Sequence, residues 1–306
     1  MRNHQFASIC FGILVVEDLF AVVLMVLFIG FFAVFCLIPM VLAICVSFSA
    51  EESITRYGYR FIPSSWDADA YRMIFNGSSS VMRGFMMSML VTVTGTVLAV
   101  VITAMCAYAL ANKSVRYRGK LSFYFFVTMT FNAGLVPWYM MCLRLGLRNN
   151  FFALIIPNLL FSPFNMFLVR NYMDGLPDSL RESATLDGAN DITICFRIYL
   201  PLSVPALATV TLFYGLAYWN DWFNAIMLVD NPKLYPLQYL LLQLRSQIQM
   251  IRDMQSIMGG MGSGTKAPSE SLKMATSIVT IGPIVLLYPL LQRYFVKGLI
   301  VGAVKE

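Results

Sequence analysis

The residues best able to do chemistry lie in one polar stretch, 173–200, between two long apolar runs. Arg181, Glu182, Asp187 and Arg197 stand there among apolar side chains. Charged groups on a small, half-apolar surface suit ion pairing and docking in the groove of a partner, rather than the making of bonds. The spacing leaves a second interpretation open, in which the stretch only packs beneath its own helices.

The first half of this stretch predicts a short helix with a defined end. Ser179 and Glu182 form an S-x-x-E capping box behind Pro177, so a helix should run to about Asp187. Gly188 can then take the left-handed conformation that ends a helix.

The second half predicts another short helix, beginning at Asn190 or Asp191 and ending where Pro201 and Pro205 redirect the chain. Its apolar stripe is formed by Ile194, Cys195, Ile198 and Tyr199. The two halves together predict a bent helix pair outside the membrane.

The rest of the sequence offers no catalytic, metal or cofactor site. The single histidine, His4, follows Arg2 and Asn3, where a solvated contact with lipid headgroups is expected. The six cysteines form no CxxC pair. No GxxxxGK[ST] sequence is present, so this chain has no P-loop for a nucleotide.

The composition predicts an all-α protein that crosses a bilayer several times. Apolar residues make up 58% of the 306 residues and charged residues 12%, and the mean hydropathy is +0.70. Such a chain has too little polar surface to cover a soluble globule. The net charge of +6 comes without a basic run interleaved with aromatics, which excludes nucleic acid as a partner.

Apolar runs of roughly 20 residues match the thickness of the hydrocarbon core, and they predict six transmembrane helices. The predicted spans are 19–46, 84–111, 121–141, 151–172, 204–229 and 274–292. Residues 1–18 form a retained interfacial or cytoplasmic segment, and 19–306 form one transmembrane domain. A long loop, 230–273, holds a flexible GGMGSG sequence.

The orientation in the membrane follows from the short loop NKSVRYRGK, which contains Lys113, Arg116, Arg118 and Lys120. Dense basic residues in a short loop favour the cytoplasmic side. Six spans then place both termini in the cytoplasm, together with the bent helix pair between spans four and five.

The polar stretch resembles the signature loop of the permeases of binding-protein-dependent ABC importers. That loop reads EAA, three residues, Gly, nine residues, Ile, one residue, Leu-Pro. The matching residues are Glu182, Ala184, Gly188, Ile198, Leu200 and Pro201. Only Ser183 departs from the pattern, by replacing one small residue with another.

The resemblance implies a type I ABC importer permease, in which the loop forms coupling helices that sit in a cleft of the ATPase. The coupling residues implied here are Arg181, Glu182, Ser183, Ala184, Asp187, Gly188, Ile198 and Pro201. Glu182 would meet basic or backbone donors of the ATPase, and Gly188 would permit the bend and a close helix approach. None of these residues would be catalytic.

The resemblance covers 35–306 and is closer to the sugar-importer permeases of the maltose-permease type, in particular the LplC-like branch. Three passages carry it: DGAND continuing into LPLSVPALAT, the aromatic YWNDWFNA, and KAPSESLKMAT with RYFVKGLIVGAVK. This branch is associated with oligosaccharides or polysaccharide fragments. A permease for a non-sugar solute such as a peptide remains the alternative, followed by a secondary transporter.

The resemblance also implies the partners and the location. They are a second permease, two ATPase subunits that bind ATP and Mg²⁺, and an extracellular solute-binding lipoprotein, assembled in the bacterial plasma membrane. A carbohydrate path is best sought among aromatic and amide side chains, which stack on sugar rings and bond hydroxyls. The candidates are Asn132, Asn165, Tyr218, Trp219, Asn220 and Trp222. Structural roles, as interhelical contacts or as an interfacial aromatic belt, stay open for all six.

Overall fold

The computed structural model describes residues 2–75, 80–257 and 270–285, and these residues are built almost entirely of helices. Beyond one isolated bridge between Ser49 and Trp66, the described residues contain no β-strand. The helices are α1 (Arg2–Ser47), α2 (Glu51–Tyr57), α3 (Asp69–Phe75), α4 (Ser80–Ala111), α5 (Arg118–Thr130), α6 (Leu135–Arg144), α7 (Pro163–Asp174), α8 (Asp178–Leu186), α9 (Asp191–Ile194), α10 (Leu200–Leu202), α11 (Val204–Trp219), α12 (Phe223–Leu228), α13 (Leu237–Ile257) and α14 (270–285).

The chain forms two compact units, one of Met1–Tyr71 with Ser269–Ile278 and one of Arg72–Pro268 with Val279–Glu306. In the first unit, α1 runs without a break through Glu17 and Asp18, where the sequence predicted a separate interfacial stretch. Two acidic residues do not interrupt helical hydrogen bonds. The apolar part, Leu19–Ser47, buries none of its most apolar window inside the chain, as expected of a helix that faces lipid or another subunit.

Glu51, the first residue of α2, ties the start of α14 to the same unit. Its carboxylate accepts hydrogen bonds from the backbone N–H groups of Glu270 at 2.9 Å and Ser271 at 3.1 Å. Tyr59 donates its hydroxyl to Glu270 Oε2 at 2.8 Å. The carboxylate thus satisfies N–H groups that the first turn of a helix leaves without internal partners.

The second unit is organised around α4, which packs against α7 and α11. A stripe of small residues at every fourth position faces these helices: Gly95, Ala99, Thr103, Ala107 and Ala111. All five are buried. Small side chains let helix backbones approach closely in a bilayer, where apolar burial alone drives no association.

Predicted span three, 121–141, is wrong as a single helix. The chain forms α5 and α6, which meet at an angle of 116°. Asn132 Oδ1 accepts from the N–H of Gly134 at 2.8 Å, and Gly134 has φ 85°, a conformation that side chains disfavour. The amide turn and the glycine break the helix inside an apolar run.

Predicted span four, 151–172, is also wrong as a continuous helix. A short 3₁₀ turn, Phe151–Leu154, leads into an irregular segment, 155–162, in which Asn158 has φ 62°. α7 begins only at Pro163, where Ser162 provides the N-cap. Pro157 and Pro163 cannot donate backbone hydrogen bonds, which favours this interruption.

Side chains from later helices satisfy the irregular backbone of 155–162. Tyr218 donates its hydroxyl to the Ile155 carbonyl at 2.9 Å, and Asn224 Nδ2 donates to the Pro157 carbonyl at 3.1 Å. The N–H of Ser162 donates to the Tyr214 hydroxyl at 2.9 Å. Irregular backbone is tolerated at membrane depth where protein groups replace the missing hydrogen bonds.

Predicted spans five and six, 204–229 and 274–292, differ in their bounds from the helices of the structure. α10 and α11 meet across Ser203 at a bend of 81°, as Pro201 and Pro205 predicted, and α11 ends at Trp219, before the short α12. The loop predicted at 230–273 contains the 21-residue helix α13. The GGMGSG sequence and the end of span six, 286–292, lie outside the described residues.

Among the described residues, two helices are long and apolar enough to cross a membrane, or up to four if each bent pair counts as one span. The all-helical membrane fold is therefore confirmed, whereas the count of six straight spans is not exact.

Candidate coupling site

The predicted bent helix pair is present as α8 followed by α9 and α10, residues 178–202. It is called the coupling pair below, after the role that the resemblance implies. α8 begins at Asp178, two residues earlier than the capping box requires. Its N-cap is Pro177, and no side chain caps the helix there, so the predicted capping box of Ser179 and Glu182 is wrong. Ser179 is the second residue of α8 and therefore cannot be its N-cap. Asp178 instead puts a negative charge in the first turn, where the helix dipole favours it.

Gly188 ends α8 as predicted, with φ 79°. The N–H of Gly188 donates to the Thr185 carbonyl at 3.0 Å, and the N–H of Ala189 donates to the Ala184 carbonyl at 2.9 Å. This pair of bonds is the Schellman motif of a left-handed helix end. A Cβ atom at 188 would meet nothing within 4 Å among the described residues, so there the glycine serves the backbone and not a close approach.

A substitution at Gly188 should therefore act through torsion alone. We expect Gly188→Val to disfavour the left-handed turn by roughly 1–2 kcal/mol, and Gly188→Asn to be tolerated far better, because asparagine adopts this conformation. Recovery of ATPase subunits with the tagged chain from detergent-solubilised membranes would measure the effect. Equal losses for both variants would contradict a purely torsional role.

The second helix begins as predicted, since Asn190 caps α9 by accepting from the N–H of Thr193 at 2.8 Å. The chain continues through a π-helical turn, Cys195–Tyr199, into α10. The predicted apolar stripe faces inward: Ile194, Cys195 and Tyr199 are buried, and Ile198 is half-buried. This inner face packs on the chain's own bundle, as the second interpretation of the stretch predicted.

The opposite face of the coupling pair is exposed and apolar. Leu186 is 88% exposed, Ile192 71% and Phe196 51%. The surface also presents Glu182, Ser183, Asp187, Gly188 and Pro201, while Arg181 is half-buried and Ala184 is buried. One face therefore anchors the pair on the chain's own bundle, as the second interpretation predicted, and the other face is exposed within the described part of the chain, as docking on a partner would require.

Polar contacts join the coupling pair to the end of α4. Lys113, two residues after α4, forms an ion pair with Asp178 at 2.5 Å. This hydrogen bond, and the negative charge that makes it, raise the pKa of Lys113 above its ordinary value, so the ion pair persists until the pH rises through that raised pKa. A cavity of about 550 Å³ lies here, with Glu182 and Leu186 in its lining.

Two further contacts involve residues that sequence reasoning did not assign to the site. Arg181 Nη2 donates to Asp191 Oδ1 at 2.9 Å, and the Tyr108 hydroxyl donates to the same oxygen at 3.4 Å. Asp191 was recognised only as a helix start. No spacing rule pairs residues ten positions apart across a glycine turn, and nothing local points to Tyr108.

The six candidates for a substrate path have different surroundings. Tyr218 and Trp219 are buried, and both donate to backbone carbonyls. The Tyr218 hydroxyl donates to Ile155, and Trp219 Nε1 donates to Thr280 at 3.0 Å. Asn165 is buried in the first turn of α7. Asn132, Asn220 and Trp222 are exposed, and the Asn220 side chain also accepts from Gln238 at 3.0 Å.

The fold is that of a helical membrane protein, and comparison with known proteins identifies the family. The chain belongs to the family of binding-protein-dependent transport system inner membrane components, whose model matches residues 99–301. The predicted resemblance is thereby confirmed.

Relatives match over nearly the whole chain. It is 36% identical over 305 residues to the polygalacturonan/rhamnogalacturonan transport system permease protein YtcP of Bacillus subtilis, covering 100% of both chains. It is 32% identical over 280 residues to Protein LplC of the same species, covering 92% of this chain and 93% of LplC. A chain in the crystal structure of a bacterial ABC transporter involved in the import of the acidic polysaccharide alginate is 31% identical, with a TM-score of 0.78, covering 91% of this chain and 97% of that one.

Proposed function

We propose that this chain is the permease subunit of an ATP-driven ABC importer for a carbohydrate and that it catalyses no reaction itself. The observation that carries the proposal is the coupling pair, anchored on one face and exposed on the other, in a chain of the transport-component family. An exposed surface that combines Leu186, Ile192 and Phe196 with Glu182 suits a groove in another protein.

The partners in this proposal are a second permease, two ATPase subunits and an extracellular solute-binding lipoprotein. ATP and Mg²⁺ bind to the ATPases, and closure of the ATPases moves the coupling pair. In the chain, α7 leads into the coupling pair and α11 follows it. Movement of the pair therefore moves both helices and changes the side of the membrane to which the path opens.

The roles of the coupling residues follow from their exposure. Glu182 meets basic or backbone donors of the ATPase, and Arg181, Ser183, Asp187 and Pro201 border the same contact. Gly188 sets the bend. Ala184 and Ile198 lie on the inner side and hold the coupling pair against the bundle.

The cargo in this proposal is an oligosaccharide or a fragment of a polysaccharide. Support comes from the relatives, since YtcP is named for polygalacturonan and rhamnogalacturonan, and the similar structure for alginate. Of the path candidates, the exposed Asn132, Asn220 and Trp222 contact the sugar. Asn165, Tyr218 and Trp219 support the wall from behind.

The protein lies in the bacterial plasma membrane, and we propose that both termini are cytoplasmic. Residues 1–18 form the cytoplasmic or interfacial segment, and 19–306 form the permease domain. The basic residues from Lys113 to Lys120 lie at the end of α4 that contacts the coupling pair, which supports placing this end in the cytoplasm.

A pull-down of the tagged chain in mild detergent tests the proposed function. We expect an ATPase and a second permease to co-purify, and the complex to hydrolyse ATP faster when a saccharide-loaded binding protein is added. A chain that purifies alone and transports solute along an ion gradient would support the secondary-transporter alternative. If a peptide-loaded binding protein stimulates ATP hydrolysis and no saccharide-loaded one does, the cargo is a peptide and not a carbohydrate.

A further inference from the structure

Three helices meet at one carboxylate of the coupling pair. Asp191 is the first residue of α9, and its Oδ1 accepts from Arg181 of α8 at 2.9 Å and from Tyr108 of α4 at 3.4 Å. The coupling pair is joined to α7 and α11 through the backbone. Its link to α4 depends on side chains.

The two donors are held in place by packing. The Arg181 side chain is 21% exposed, and Tyr108 is 8% exposed, with its ring edge-to-face on Tyr199 at 5.2 Å between centroids. The Asp191 side chain is 64% exposed. An isolated exposed ion pair contributes little because ordering two side chains costs entropy, but here two ordered donors converge on one acceptor.

The carboxylate also bridges the turn between the two halves of the coupling pair. α8 and α9 meet at Gly188, which has no side chain of its own to fix the angle and around which a Cβ atom would find open space. Besides the backbone of the turn, the ion pair of Arg181 with Asp191 connects α8 to α9. The bond from Tyr108 then extends the connection to α4, which packs against both α7 and α11.

We propose that Asp191 is a positioning residue for transport: it fixes the angle of the coupling pair and passes its movement to α4 through Tyr108. This inference rests on the proposed function. Asp191 touches neither nucleotide nor cargo, and its role is to keep ATP hydrolysis and the movement of the bundle in step.

The test uses the complete transporter, purified with its ATPases and second permease and reconstituted in lipid vesicles with a saccharide-loaded binding protein. The measured quantity is the number of saccharide molecules imported per ATP hydrolysed. We expect Asp191→Asn and Tyr108→Phe to hydrolyse ATP at close to the wild-type rate, while this ratio falls at least about fivefold, the lower end of typical coupling between sites. Asp191→Glu, which keeps the carboxylate, should recover part of the ratio.

Asp230→Asn is a matched control. The Asp230 side chain is 66% exposed and forms an ion pair with Arg148 at 3.1 Å. Seven residues later, the backbone N–H of Leu237 donates to Ser88 Oγ near the start of α4, whereas the coupling pair contacts the other end of that helix. We expect its import-to-hydrolysis ratio to equal that of the wild type. An equal fall in the control would show a general effect of losing a surface carboxylate and would overturn the inference.

Two further results separate the inference from the proposed function. If the complex assembles and Asp191→Asn keeps the wild-type ratio, the inference is overturned and the proposed function stands. If no ATPase co-purifies with the wild type, both fail. Tyr108→Phe decides the matter if Asp191→Asn does not assemble, because it removes one hydroxyl and keeps the ring; a wild-type ratio in that variant would overturn the link to α4.

Discussion

Gly95→Ala is expected to destabilise the helical bundle, although alanine favours helices over glycine. A Cβ atom at 95 would lie 2.6 Å from two atoms of the Tyr218 ring and 2.8 Å from a third. The ring cannot move aside easily, since it is buried and its hydroxyl is bonded to the Ile155 carbonyl. Overpacking of this kind costs about 1–3 kcal/mol. The apparent melting temperature in detergent should fall by several degrees.

Gly215→Ala provides the control, because Gly215 is half-buried on α11 and, within the described part of the chain, a Cβ atom there would meet only Thr96 Oγ1 of α4, at 3.8 Å. That distance is an ordinary van der Waals contact, so this variant should melt at or above the wild-type temperature. Equal stability of the two variants would mean that α4 and α11 are not packed as described.

Glu182→Lys is expected to abolish ATP-driven import while leaving membrane insertion intact. The residue is exposed on α8, and within the described part of the chain its side chain has no hydrogen bond or ion pair, so the chain's own fold does not depend on it. Removing one partner of a buried, hydrogen-bonded charge pair in an interface costs roughly 2–5 kcal/mol, which corresponds to at least about a thirtyfold loss of affinity, and a reversed charge adds repulsion. Uptake of labelled saccharide into reconstituted vesicles measures the effect.

The matched control is Glu52→Lys, the same charge reversal on the exposed surface of another helix, α2. Normal import by this variant, together with loss in Glu182→Lys, would assign the effect to the coupling pair. Normal import by Glu182→Lys would show that the coupling assignment is incorrect.

The parts of the structure that the sequence predicted well depend on local chemistry. Gly188 ends α8 and Asn190 begins α9 because a left-handed turn and an amide cap need only the residues beside them. The burial of Ile194 and Tyr199 follows equally from their spacing on one helical face.

The parts that could not be predicted depend on distant partners. An apolar run such as 151–172 has the same composition whether it forms a helix or an irregular segment. The irregular form is stable here because Tyr214, Tyr218 and Asn224 donate to or accept from its backbone, and these residues lie more than fifty positions later in the chain. The sequence-based prediction of the site is incomplete for the same reason, since Tyr108 donates to Asp191 across 83 positions.

Uptake by reconstituted vesicles tests whether this chain is the permease subunit of an ATP-driven importer. ATP is enclosed on the side of the ATPases, and the binding protein and labelled saccharide are added on the opposite side. We expect accumulation that requires both ATP and the binding protein, and that is lost in Glu182→Lys and retained in Glu52→Lys. Accumulation driven by an ion gradient without ATP, and unaffected by Glu182→Lys, would contradict that expectation.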